Sequence, residues 1–463
     1  MSNRQITVSP VDGSVYVERD YATDAEIAAT LARAAEARKS WARLPIDKRA
    51  RICHAAVDAF VAKKSTHAEE LAWQIGRPIR FGGGEVGGFE ERARYMIDIA
   101  GKTLKPIQVG EKAGFVRYIT REPLGVVFTL APWNFPFMTA VNSVVPALMA
   151  GNAVVLKHAS QTPLCAERMV EAFKEADLPE GVFQFLHLTH DAAARIIKSP
   201  EIGFVAFTGS VPAGEKIEEA ATGRFIGVGL ELGGKDPAYV RADANIDHAV
   251  ENLADGAFFN SGQSCCGIER IYVHADVYDR FVGGLVKLAG QYRLGNPLDP
   301  ETTLGPVVKT SAADFVRGQI NEAVSQGARA LIDPGSFPEN KEGTPYLAPQ
   351  VMVDVDHSMR VMIEESFGPV VGIMKVESDQ HAIELMNDSE FGLTASVWTT
   401  DMDTAVSIGN QVNTGTWYMN RCDYLDPALA WTGVKHSGRG CTLSVVGYES
   451  LTRPKSFHLR TDV

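Results

Sequence analysis

The stretch Leu124–Pro136, LGVVFTLAPWNFP, decides the fold. Leu124 to Leu130 reads as a buried-type strand, and Pro132 and Pro136 stiffen the loop that follows it. Outward from it, apolar runs of the same kind stand near Ala153–Lys157, Val182–Leu188, Phe204–Thr208 and Phe225–Leu230. Between them lie helical patterns, at Pro163–Ala176 and Ala213–Ala221. Strands and helices alternating at this spacing predict parallel pairing through crossover helices, an α/β fold with a doubly wound sheet.

Toward the N-terminus, Thr23–Ala42 and Lys48–Ile75 carry helical periodicity, a glycine cluster (Gly82 to Gly88) punctuates them, and another helical stretch runs to about Ile99. Val116–Thr120 is a short β-like run. From about Leu232 to Asn420 a second α/β block repeats the logic, with strands at Ile271–Val273, Ala330–Ile332, Val370–Val376 and Ala395–Thr399 and a helix at Val277–Leu294. The tail, Ser456–Arg460, reads as a strand that needs a partner edge. Val116–Thr120 is the candidate, from this chain or from another subunit.

A chain of 463 residues exceeds one hydrophobic core, so two or three domains are expected. With 45 basic and 57 acidic residues the net charge is -12, which disfavours nucleic acid as a partner. The first residues lack the apolar core of a secretory signal, and no apolar run reaches membrane-spanning length, so the cytoplasm is the expected location and no membrane partner is expected. The six cysteines show neither Cys-x-x-Cys nor zinc-type spacing, so no metal is expected.

Four segments carry chemistry. In Asn260-Ser-Gly-Gln-Ser-Cys265-Cys266, Gly262 permits a tight turn before a thiol set among polar neighbours, an environment for a nucleophile more than for a packed core cysteine. In Gly227–Lys235, Glu231 ends an apolar strand before a Gly-Gly turn, and burial there would raise its pKa toward that of a general base. In Ala131–Pro136, the amide of Asn134 on a stiff loop can donate to an oxyanion. In Phe207–Gly214, Gly209 and Ser210 open a helix whose free N–H groups suit a phosphate. Taken singly, Glu231 reads as a solvated strand end, Asn134 as a turn residue and Gly209–Gly214 as an ordinary Gly-rich turn. The last matches neither the usual dinucleotide fingerprint nor a P-loop.

Together and in this order, the four segments resemble the aldehyde dehydrogenase superfamily, as do Leu304-Gly-Pro306, Glu364-Glu-Ser-Phe-Gly-Pro369, Gly392-Leu-Thr394 and Asn420. The resemblance spans nearly the whole chain. It implies a Rossmann-like cofactor-binding domain (1–102 and 124–231), a second α/β catalytic domain (232–437) and a small β oligomerisation flap (103–123 and 438–463). It implies oxidation of a small-molecule aldehyde to an acid with NAD or NADP, in a homodimer or homotetramer. Cys265 matches the nucleophile, Asn134 the oxyanion amide and Glu231 the base that activates water on the thioester. Lys157 matches the adenosine-ribose lysine, and Gly209 and Ser210 the pyrophosphate contact. Trp133 matches a cofactor-lining residue, and Glu365 with Phe367 the nicotinamide-ribose contacts. Phe135, Asn142, Asp423 and Trp431 fall in the substrate tunnel. The rival readings are a CoA-acylating relative, a cysteine hydrolase without cofactor, and a non-catalytic binding protein on the same fold; Glu231 argues against the first, the Gly209–Gly214 turn against the second, and the presence of Cys265, Glu231 and Asn134 against the third.

The chain departs from the family in three places. The usual Lys-Pro-x-Glu is Lys157-His-Ala-Ser160, and a serine would tolerate a 2′-phosphate that a carboxylate repels. Trp431 replaces a phenylalanine. Asn142 stands where succinate-semialdehyde members carry an arginine, which weakens that substrate while leaving another arginine open; with Asp423 it suggests a moderately polar aldehyde.

Overall fold

The computed structural model describes residues 4–463. Its first large sheet is built on the quoted stretch. Val126–Ala131 is buried at all six positions, and so is the neighbouring strand Ala153–His158. Strands covered on both faces lose the apolar/polar alternation of a half-exposed sheet, which explains the continuous apolar run in the sequence. The spatial order is Gly438–Arg439, Gly227–Glu231, Ile202–Thr208, Val126–Ala131, Ala153–His158 and Phe183–Phe185. All neighbours are parallel except Gly438–Arg439, which runs antiparallel to Gly227–Glu231. The chain winds from Val126–Ala131 to one edge, then crosses back to Ile202–Thr208 on the other side. The strand order therefore reverses between these two, and their C-terminal ends flank the crevice where α/β sheets bind ligands.

The second sheet has the order Arg329–Ala330, Gln350–Val353, Val370–Val376, Ile268–His274, Asp236–Val240, Thr394–Trp398 and Thr416–Met419. It is parallel apart from the Arg329–Ala330 edge. A third sheet pairs Thr452–Arg460 with Phe115–Pro123 along nine residues, from Phe115↔Arg460 to Pro123↔Thr452, with Ile107–Gln108 on the far side. The tail thus pairs with the expected segment, within its own chain, and leaves the outer edge of Thr452–Arg460 open.

Two expectations change. The glycine cluster does not break the helical region; it lies inside one helix, Ile79–Thr103. A Cβ on Gly82 would stand 2.6 Å from that of Ala68, and one on Gly88 2.1 Å from the Met138 sulfur. These glycines are there so that neighbouring elements can approach, at a helix-propensity cost of about 1 kcal/mol each. The Lys48–Ile75 region is two helices, Ile46–Val61 and Lys64–Ile75. An N-terminal hairpin, Arg4–Val8 with Val15–Asp20, and the strands Asp236–Val240, Gln350–Val353 and Thr416–Met419 add to the elements read from sequence. Among the described residues, no helix is long and apolar enough to cross a membrane.

Candidate active site

Cys265 sits three residues before the Ile268–His274 strand, at the end of a turn that needs unusual backbone angles. Asn260, Ser261 and Gly262 have φ of 52°, 57° and 71°. Left-handed geometry disfavours two non-glycine residues in a row, by roughly 1–2 kcal/mol each, so side chains must hold it. A Cβ on Gly262 would lie 2.2 Å from the Gly368 carbonyl oxygen. Asn260 Nδ2 donates to the carbonyls of Asn134 and Gln263, both at 3.2 Å, and its Oδ1 accepts from Arg77 Nε at 3.1 Å. Arg77 Nη2 also donates to the Asn134 carbonyl at 2.5 Å, and Asn134 Nδ2 to the Gln263 carbonyl at 3.2 Å. The thiol loop and the amide loop are therefore bolted to each other. Asn134 Nδ2 carries two hydrogens, and this arrangement commits one of them.

Behind the bolt lies a buried ion pair, Arg77 with Glu85, whose side chains are 1% and 0% exposed. Glu85 Oε1 accepts from the backbone N–H groups of Phe137 (2.9 Å) and Met138 (3.0 Å), at the start of helix Pro136–Met149, where a carboxylate complements the helix dipole. Neither residue stood out in the sequence; Glu85 lay hidden among glycines. Arg77→Met leaves Glu85 as an uncompensated buried charge, and we expect it to cost about 3–5 kcal/mol. Chemical denaturation of the variant beside the parent measures it.

Glu231 ends the strand Gly227–Glu231, as expected. Its Oε2 accepts from the Thr208 hydroxyl at 3.1 Å and its Oε1 from the Thr442 hydroxyl at 2.5 Å. Burial raises its pKa, and the two threonine bonds partly offset the rise. Glu231, Cys265, Phe135, Asn142, Asp423 and Trp431 line one cavity of about 350 Å³. Asp423 accepts from Ser264 Oγ (3.1 Å) and Cys266 Sγ (2.9 Å), and burial pushes it up to about 6. Arg92, unremarked in the sequence, lines the same cavity.

A second hollow, of about 460 Å³, is lined by Trp133, Ser160, Glu365 and Phe367. Trp133 and Phe367 meet edge to face at 5.6 Å. Glu365 accepts the Gly234 N–H at 2.9 Å, and burial, then the nearby Glu269 charge, push it up to about 7. The loop that carries it hangs on Glu269, which accepts the N–H groups of Ser366 (2.8 Å) and Phe367 (2.9 Å) and pairs with buried Lys235 at 2.5 Å. Lys157, at the C-terminal half of its strand, is 9% exposed and has no hydrogen-bond or ionic partner among the described residues; burial lowers it to about 8. Ser160 keeps its hydroxyl exposed while its carbonyl accepts from Gln5 and Thr7 of the N-terminal hairpin. Gly209 and Ser210 stand at the start of helix Val211–Ala221, where Ser210 makes no side-chain cap bond, Pro212 has no N–H, and the Gly209 N–H donates to the Glu231 carbonyl at 3.0 Å. An unpaired buried ammonium, an open helix start and an aromatic-lined hollow fit the adenosine, pyrophosphate and nicotinamide ends of a dinucleotide. Among the described residues, no cluster of three His, Cys, Asp or Glu is placed to hold a metal ion.

Comparison with known proteins agrees with this geometry. A profile of the aldehyde dehydrogenase family matches residues 1–457. The succinate-semialdehyde dehydrogenase [NADP(+)] 1 of Mycobacterium tuberculosis is 32% identical over 455 residues, covering 97% of this chain and 98% of that one. PnpE of Pseudomonas sp. WBC-3, solved with nicotinamide adenine dinucleotide, superposes with a TM-score of 0.95 at 32% identity, over 99% of this chain and 95% of that one. The NADP-dependent glyceraldehyde-3-phosphate dehydrogenase of Bacillus halodurans, solved with NADP, gives 0.93 at 32%, over 99% and 96%. With a thiol loop and an aromatic-lined hollow on one α/β frame, and relatives of that kind along its whole length, the chain belongs to the aldehyde dehydrogenase family and oxidises an aldehyde with NAD or NADP.

Proposed function

We propose that Cys265, Asn134 and Glu231 perform that oxidation in two halves. The Cys265 thiolate adds to the aldehyde carbon, and the free Asn134 N–H, with the Cys265 backbone N–H, stabilises the oxyanion. When bound, NAD(P) supplies a hydride acceptor to the collapsing adduct. A thioester remains on Cys265, and Glu231 takes a proton from the water that cleaves it. The supporting observation is that the thiol loop and the Asn134 loop are tied by two direct side-chain bonds, and by Arg77 bonded to both, beside a cavity lined by Cys265 and Glu231. A base in the cavity favours water over CoA as acyl acceptor. A screen of chemically varied aldehydes with each cofactor, followed by absorbance of reduced nicotinamide and by CoA dependence, tests the reading.

Lys157, Ser160, Ser210 and Gly209 are assigned to the adenosine and pyrophosphate end, and Trp133, Glu365 and Phe367 to the nicotinamide end. Phe135, Asn142, Asp423 and Trp431 are assigned to the substrate tunnel. The unpaired Lys157 ammonium, with a serine rather than a carboxylate three residues further on, favours NADP, whose 2′-phosphate adds charge for Lys157 to meet. Ser160→Glu is expected to lower kcat/KM for NADP by roughly 100-fold, through like-charge repulsion of several kcal/mol, and to leave NAD less affected. Steady-state kinetics with both cofactors decides it. A parent enzyme with strong NAD preference overturns the assignment.

The proposed division is 1–102 with 124–231, 232–437, and 103–123 with 438–463; the pairing of Phe115–Pro123 with Thr452–Arg460 supports the third part, although Gly438–Arg439 pairs with Gly227–Glu231 of the first. The open edge of Thr452–Arg460, with exposed Leu459 nearby, supports a homodimer or homotetramer. A reduced thiol nucleophile suits the cytoplasm.

A further inference from the structure

The substrate cavity contains a cation with no counterion. Arg92, on helix Ile79–Thr103, is 7% exposed and forms no ion pair among the described residues. Its Nη1 donates to the Met138 carbonyl at 2.7 Å and to Asn142 Oδ1 at 3.4 Å. Its Nε and Nη2 have no hydrogen bond, and the residue fronts the cavity that holds Cys265. Four of the surrounding acids are engaged elsewhere, while Asp255, on the same cavity wall, has no side-chain partner among the described residues and burial raises its pKa toward the neutral form. Glu85 is paired with Arg77, Glu231 is held by Thr208 and Thr442, Asp423 by Ser264 and Cys266, and Glu91 by the Tyr424 hydroxyl at 2.8 Å. Arginine cannot escape burial by losing its proton, so an unpaired guanidinium here is costly unless a ligand completes it.

The second observation is Asn142. Its Oδ1 faces Arg92, which leaves Nδ2 pointing away, and Nδ2 is enclosed with no acceptor. Two adjacent donor groups lack acceptors in a tunnel whose other walls include Phe135, Met138 and Trp431. Gly84 and Gly88 contribute no side chain to the same walls, which leaves room for a chain of several carbons.

We propose that Arg92, supported by Asn142, receives a carboxylate at the far end of the substrate, so that this enzyme selects short aldehyde acids. The inference rests on aldehyde oxidation at Cys265 as proposed above. It places the anion-binding group on the glycine-rich helix, while position 142 supplies an amide beside it. A planar guanidinium meets a carboxylate with two parallel bonds, a geometry that neither an ester nor an amine can reproduce. The main alternative is an aminoaldehyde drawn by Asp423, Asp255 and Glu91, which line the same cavity.

The test compares kcat/KM for 4-oxobutanoate, its methyl ester, butanal and 4-aminobutanal. The parent enzyme is expected to prefer the carboxylate over its ester by about 100-fold, and Arg92→Met to bring that ratio to within about tenfold, chiefly through KM of the carboxylate. Arg92→Lys should recover part of the ratio, and Asn142→Leu should reduce it less than Arg92→Met does. Should Arg92→Met fail to fold, the parent enzyme still answers. Succinate should then compete with 4-oxobutanoate and slow alkylation of Cys265 by iodoacetamide, whereas butyramide should not. Equal or better use of the ester, butanal or 4-aminobutanal by the parent overturns the inference, as does a ratio unmoved by Arg92→Met, or no protection by succinate. Absence of reduced nicotinamide from every aldehyde would instead remove the reaction scheme on which it rests.

Discussion

Cys265→Ser is expected to lower kcat for aldehyde-dependent reduction of NAD(P) by on the order of a thousandfold or more, while cofactor binding, read by quenching of protein fluorescence, persists. A serine hydroxyl keeps its proton at neutral pH and needs a base poised on it, whereas a thiol is already partly thiolate. No neighbouring side chain is poised as that base: Glu231 is bonded to Thr208 and Thr442, and Asp423 to Ser264 and Cys266. The neighbouring thiol cannot substitute. Cys266 is 3% exposed, donates to Asp423 Oδ1 at 2.9 Å, and is pushed well above its ordinary pKa by its contact with Cys265 and by burial. Cys266→Ala should therefore retain most of the turnover, and single-turnover absorbance of the two variants separates their roles. A Cys265→Ser enzyme with more than a few per cent of parental activity would remove the thiol from the mechanism.

What the sequence reveals follows from what each residue does locally. The buried parallel strands were legible because burial on both faces makes continuous apolar runs, as at Val126–Ala131 and Ala153–His158. Cys265 stood out by its polar neighbours and the glycine before it, whereas Glu231 and Asn134 read singly as a strand end and a turn residue and drew notice only through the joint order of the motifs. The glycine cluster misled because glycine usually ends a helix, while here Gly82 and Gly88 admit Ala68 and Met138. That reason lies in a different element and leaves no mark nearby. The same holds for the positioning groups. Arg77 reaches Asn134 across 57 positions and Asn260 across 183, and Glu269 holds a loop 97 positions away. Such partners become visible only when the two sheets meet. Arg92 is the plainest case: an ordinary helical arginine in the sequence, it becomes a buried cation on the wall of the cavity that Cys265 lines only after folding.

Glu231→Gln should split the reaction at its midpoint. Thiol addition and oxidation need Cys265 and Asn134, so the variant is expected to release about one reduced nicotinamide per subunit in a burst. Steady turnover should then fall by roughly 10²–10⁴-fold, the usual worth of a positioned general base. Hydroxylamine, which attacks a thioester without help from a base, should restore part of that turnover. The pH dependence carries a definite sign. Burial raises the Glu231 pKa, and only its ionised form accepts a proton, so parental hydrolysis should decline as pH falls through a value above the ordinary glutamate range. That limb should vanish in Glu231→Gln, whose amide does not titrate. The two threonine bonds, from Thr208 at 3.1 Å and Thr442 at 2.5 Å, favour the charged form and keep the base from being neutralised altogether by its surroundings. Thr442→Val removes one of them and should move the limb to higher pH, because burial would then act with less opposition. Rapid-mixing absorbance at several pH values measures the burst, the steady phase and the limb together. A variant that loses the burst as well as the steady phase would assign Glu231 to thiol activation, and the division of labour between the carboxylate and the thiol would have to be redrawn.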